Sequence, residues 1–193
     1  MMQLHHAVIS FSPASNQESE LEGTIEVKGS QGEEQRRQAV ATSNKNIPWR
    51  VFISVKKFDE RGCVTEDSHI ANELYDFLTD KNLSVFLSER SLEVLGASAY
   101  KKAIDSALDQ CQILIAVGTS AGNLSTGWVQ YEWDSFINDI ISGLKPEGRV
   151  FIYVKDVSIA LLPRPLRQSQ VFQHQPDEME RLYRFISNAL ESR

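Results

Sequence analysis

Cysteine is scarce in this chain. Its 193 residues contain two, Cys63 and Cys111, too few for a disulfide framework and in keeping with a reducing cytoplasm. Cys111 falls in an apolar passage and reads as a small buried hydrophobe, whereas Cys63 lies in a polar loop and reads as exposed. Histidine is equally sparse: His5, His6, His69 and His174 stand at no ligand spacing with either cysteine, so no metal site is expected. No run approaches the ~18 apolar residues that a membrane helix needs. The first residues, Met1 to His6, lack a basic segment followed by an apolar core, which argues against a secretory signal. Positive charge is in deficit, 20 Lys and Arg against 26 Asp and Glu for a formal net charge of -6. That balance argues against broad binding to nucleic-acid phosphates. Neither a membrane nor a nucleic acid is an expected partner.

What is present is an ordinary globular share of hydrophobic residues, 41%, unevenly arranged. Residues 1–48 are rich in Ser, Gln, Glu and Gly, with short strand-like stretches at 6–11 and 23–28, a weak helical pattern at 33–41 and no sustained period. They read as a poorly ordered or small β extension. From residue 49 to 193 elements alternate. Apolar runs at 50–55 (RVFISV), 84–87, 112–117 (QILIAV) and 149–154 (RVFIYV) read as buried strands, and Val171-Phe172 as a short fifth. Between them lie amphipathic patterns. Residues 66–80 place Ile70, Leu74, Phe77 and Leu78 on one face, with Asp67 or Ser68 as N-cap. A second helix capped by Ser98 presents Ile104, Ala107, Leu108 and Cys111. A third, 128–142, presents Val129, Trp133, Phe136 and Ile140. A last helix from about Asp177 presents Met179, Leu182, Phe185, Ile186 and Leu190.

Short apolar strands separated by amphipathic helices predict an α/β fold: a doubly wound, flavodoxin-like parallel sheet of five strands in the order 2-1-3-4-5. Ligands of such sheets bind beyond the carboxyl ends of the strands. The loops 56–67, 88–97 and 118–127 should converge there. Trp128 and Glu132 follow the third loop and, four residues apart, share a helix face. They therefore mark the expected ligand edge.

The motifs at that edge resemble those of TIR (Toll/interleukin-1 receptor) domains, of the bacterial kind. Val51-Phe52-Ile53-Ser54 resembles the family's first-strand box and Ser84 to Leu87 its second strand. Residues 88–96 (SERSLEVLG) resemble its BB loop, Ala103 to Leu108 the helix that follows, 125–132 (STGWVQYE) the catalytic region of the NAD-cleaving members, and Leu162 to Leu166 the loop after the fourth strand. The resemblance covers roughly 49–191. The chain departs from the pattern at Ser88, where many members have Asp, at Val55-Lys56-Lys57, where many carry an aromatic residue or arginine, and in a BB loop about one residue longer.

The resemblance implies an NAD+ nucleosidase or ADP-ribosyl cyclase of immune-type signalling, with NAD+ as substrate and no cofactor. Glu132 is then the catalytic residue, and Trp128, Lys56, Lys57, Ser88 and Tyr131 contact substrate. Leu92, Leu95 and Gly96 of the BB loop serve assembly with other TIR domains, as a homo-oligomer or filament, and a separate sensor or effector protein completes the signal. Plainer readings stand beside these. Glu132 in the first turn of a helix serves the macrodipole, Trp128 serves packing, and Lys56-Lys57 is solvated surface. For the whole chain the alternative is a non-catalytic TIR scaffold acting through TIR–TIR contact.

Overall fold

A computed structural model describes residues 48–92 and 97–191. All of the expected extension but Pro48 lies outside the described residues, as do Leu95 and Gly96. Five parallel strands form one sheet in the order β2-β1-β3-β4-β5: β1 Val51–Val55, β2 Val85–Leu87, β3 Ile113–Gly118, β4 Arg149–Val154 and β5 Gln170–Gln173. The four long helices are α1 Glu66–Asp80, α2 Ala97–Gln110, α3 Gly127–Ile141 and α4 Pro176–Glu191. This is the expected doubly wound order.

The two-residue period of a strand sends alternate side chains to opposite faces, and the core divides accordingly. Val51, Ile53, Val85, Ile113, Ile115 and Tyr153 pack with Ile70 and Leu74 of α1 and with Leu182 and Ile186 of α4. Phe52, Phe86, Leu114, Ala116 and Ile152 pack with Ile104 and Leu108 of α2 and with Val129, Trp133 and Phe136 of α3. Cys111 is buried and Cys63 exposed. Left-handed residues end two helices: Asn82 (φ 63°) follows α1 and Gly143 (φ 79°) follows α3, the conformation in which a chain leaves a helix at least steric cost. Among the described residues no helix is long and apolar enough to cross a membrane.

The structure corrects some local expectations. The N-cap of α1 is Thr65, not Asp67 or Ser68: its hydroxyl oxygen accepts from the Ser68 N–H at 3.1 Å and donates to the Lys56 carbonyl. The helix spans the expected residues, and with Thr65 as the cap the side chains of Asp67 and Ser68 are freed for tertiary bonds. Ser98 lies within α2, which begins at Ala97. Residues 88–91 form a helical turn, and so do Ala121–Leu124. Phe185 is partly exposed, its ring T-shaped against Phe151 and Phe172.

One offset positions the site. Strand β2 ends at Leu87, opposite Ile53, while β1 continues through Ser54 and Val55, paired only with Ala116 and Val117 of β3. The chain after β2 turns away in the helix Ser88–Ser91. A crevice is left above the end of β2, beside the point where the connections that follow β1 and β3 leave in opposite directions.

Candidate functional site

Strand alternation puts Ser54 on the same face as Phe52, toward α3. It is the only polar side chain in VFISV, and it is fully buried. Opposite it in register stands Ala116. Two small residues side by side leave room for a side chain from α3, and Glu132 fills it. The Ser54 hydroxyl donates to Glu132 Oε2 at 2.5 Å, joining residues 78 apart in sequence. Glu132 is 7% exposed. Its Oε1 has no hydrogen-bond partner among the described residues. One carboxylate oxygen is anchored by a neighbour from the sheet and the other is not. Burial pushes the carboxyl from its ordinary 4.5 up to about 7, against the opposing effect of the Ser54 hydrogen bond; removal from water penalises the charged form.

Helix α3 begins at Gly127, so Glu132 stands in its second turn and the first turn holds no acid. The influence of a helix N-terminus fades within the first turn. Glu132 is therefore not a dipole-neutralising surface acid.

Glu132 lines a cleft of about 380 Å³, within the size range of small-molecule sites. Its walls include Lys56, Lys57 and Phe58 from the loop after β1, Ser88 from the turn after β2, Tyr100 and Ile104 from α2, and Thr126 and Trp128 at the start of α3. The structure thus brings together Glu132, Trp128, Lys56, Lys57 and Ser88. Trp128 is 57% exposed, so simple packing does not account for it. Tyr131 lies apart. It lines an adjoining depression of about 300 Å³ with Lys101, Gly127 and Trp128, its ring edge-on to Trp128 at 6.0 Å and its hydroxyl 3.4 Å from Asp105. Leu92 is buried in the α2/α3 core.

The two lysines are half-buried and engaged rather than solvated. Lys56 donates to the Asn123 side chain at 3.3 Å. Lys57 pairs with Glu89 at 3.6 Å and lies over the Phe58 ring. Glu89 also accepts from Ser68 at 3.0 Å and from the Asn72 amide, which ties the turn after β2 to α1. On the other side Asp67 accepts from the Thr119 N–H and hydroxyl at 2.9 and 2.6 Å, tying α1 to the end of β3. Gly118 is required there: a Cβ would stand 2.8 Å from the Leu124 side chain. The turn after β2 and the end of β3 are thus both tied to α1.

Sequence reasoning passed over Ser54, Phe58, Tyr100 and Thr126. Only Ser54 left a signal, a hydroxyl at a strand position otherwise filled by hydrophobes. Among the described residues no three potential metal ligands cluster.

A family model described as TIR domain matches residues 51–184. No curated protein matches the chain.

Proposed function

We propose, on the premise that the chain belongs to the TIR domain family, that it cleaves the bond between nicotinamide and ribose in NAD+. The observation that carries this reading is Glu132: a buried acid with one oxygen anchored by Ser54, lining a cleft beyond the strand ends. Most glycosidases need a second carboxyl group to protonate a leaving oxygen. Nicotinamide departs differently. Its ring nitrogen is already positive and leaves neutral with the bond's electron pair, so no acid is needed. The positive charge passes to the ribose as an oxocarbenium ion, and the ionised Glu132 carboxylate stabilises it and holds the ribose hydroxyls. Trp128 at the rim covers the reacting centre and excludes water, which strengthens that interaction. Lys56 and Lys57 supply positive charge for the diphosphate. The Ser88 hydroxyl is placed to meet the same group or the adjoining ribose. Tyr131 and Lys101, in the neighbouring depression, are placed for the part of the dinucleotide that extends past Trp128. Water as acceptor gives ADP-ribose and a proton; the substrate's own adenine as acceptor gives a cyclic ADP-ribose isomer and a proton.

Purified protein incubated with NAD+ should release nicotinamide, and Glu132→Ala should abolish the release while the circular dichroism spectrum is retained. Equal turnover by the variant removes Glu132 from the mechanism.

A second reading, a scaffold acting through TIR–TIR contact, is favoured by the exposure of Ile159 and Leu161 on the turn after β4, apolar side chains available to a second copy. Its mark would be assembly measured by light scattering with no nicotinamide released from the assembled protein.

A further inference from the structure

We propose that Ser54 is a positioning residue for Glu132: its hydroxyl fixes Oε2 so that Oε1 faces the cleft, and it holds the buried side chain ready as a carboxylate. The geometry carries this. Ser54 and Glu132 are both buried, and the 2.5 Å contact is the one side-chain hydrogen bond Glu132 makes among the described residues. A glutamate has three side-chain torsions, and a single fixed oxygen removes most of the freedom of the last. The donor comes from the central strand β1, anchored by register to β3, so it does not move with the loops that frame the site. A hydroxyl is also the suitable group. It donates to a carboxylate without carrying a charge of its own, so it favours the ionised form without neutralising the field that an oxocarbenium ion would feel.

Among the described residues no other donor bonds the Glu132 carboxylate. The titratable groups that share the cleft are Lys56, Lys57 and Tyr100. Lys56 donates to Asn123 and Lys57 pairs with Glu89, and neither bonds the Glu132 carboxylate among the described residues. From β3 the facing residue is Ala116, which has no donor. Burial works against ionisation, and the Ser54 hydrogen bond is the influence that opposes it. Removing the hydroxyl should leave a carboxyl that stays protonated to higher pH and is no longer fixed in orientation.

The kinetic half of the test rests on the nucleosidase reading; the spectroscopic half does not. Ser54→Ala removes the hydroxyl and adds no atoms, and Ser54→Thr keeps it. The Glu132 carboxyl resonance, identified by its loss in Glu132→Gln, is titrated by ¹³C NMR in the full chain. In Ser54→Ala its midpoint should rise by about one pH unit or more, the effect of losing a hydrogen bond to a charged group, and Ser54→Thr should restore it. Nicotinamide release by Ser54→Ala should fall about fivefold at pH 7, by the same shift in protonation, and recover much of the loss at pH 9. A midpoint unmoved in Ser54→Ala, with near-UV circular dichroism retained, overturns the proposal. A shifted midpoint in a protein that releases no nicotinamide at any pH upholds Ser54 as the anchor and sinks the nucleosidase reading instead.

Discussion

The indole N–H of Trp133 donates to the carbonyl of Leu124 at 2.8 Å inside the core. The bond joins the buried face of α3 to the loop that precedes it, so the segment carrying Trp128 to the cleft is pinned from beneath. Trp133 is 2% exposed and Trp128 is 57% exposed, and the two rings should answer differently to substitution. Trp133→Phe keeps an aromatic ring but strands a buried carbonyl. It should cost about 1–3 kcal/mol in urea unfolding. Trp128→Ala should change stability by less than about 0.5 kcal/mol, as exposed positions do, while raising KM for NAD+. Equal stability loss in the two variants would contradict this division.

Glu132 should weaken the fold it sits in at neutral and alkaline pH. Its folded-state pKa, about 7, lies above its ordinary 4.5, so between those values the folded state holds a proton that the unfolded chain has released. The stability that this proton contributes is complete below about pH 4.5, declines as pH rises and is gone once pH has passed about 7. Glu132→Gln keeps an acceptor for Ser54 and never ionises. It should be more stable than the natural protein at pH 8 by up to about 3 kcal/mol, with the difference vanishing near pH 4. Denaturant titrations at the two pH values measure it, and a variant less stable at pH 8 would refute the account.

The activity should depend on the same proton with the opposite sense. The carboxylate is the working form, so kcat/KM should rise with pH through a midpoint near 7, the free protein's value. In the bound complex the nicotinamide ring's positive charge favours ionisation, so the midpoint in kcat should lie lower. Activity that falls as pH rises through 7 would assign Glu132 the role of an acid.

Lys56 and Lys57 line one wall of the cleft and should recognise phosphate rather than the reacting sugar. Replacing both by alanine should raise KM for NAD+ about tenfold, roughly 1.4 kcal/mol of binding, and leave kcat nearly unchanged. Nicotinamide riboside, which carries no phosphate, should show little difference between variant and natural protein. An equal rise in KM for both compounds would place the lysines elsewhere in the mechanism.

The sheet was legible in the sequence because its strands are continuous apolar runs and its helices carry clear stripes. Tertiary packing rarely overrides a pattern of that strength. The position of Glu132 followed from topology alone. What it touches did not. Ser54 and Glu132 are 78 residues apart, and no local period links a strand hydroxyl to a helix acid. Thr65 was passed over as the cap of α1 because a cap is chosen by geometry on both sides of the helix start: Thr65 also bonds back to Lys56, a contact that exists only once the loop has folded. Trp128 and Tyr131, three apart on the helix, are in ring contact and share the adjoining depression, while Glu132 lies with Trp128 in the cleft; that a single indole borders both hollows is not written in the local sequence.

The uneven exposure of the indoles gives the molecule an optical handle. It has three tryptophans. Trp133 is sealed in the core, Trp49 packs edge-on against Phe86, and Trp128 alone stands largely in solvent, at the cleft. The long-wavelength part of the intrinsic fluorescence therefore belongs to the cleft residue, and the short-wavelength part reports the interior. Whatever enters beside Glu132 should announce itself as a change in the first with the second unchanged, with no label attached and no turnover required.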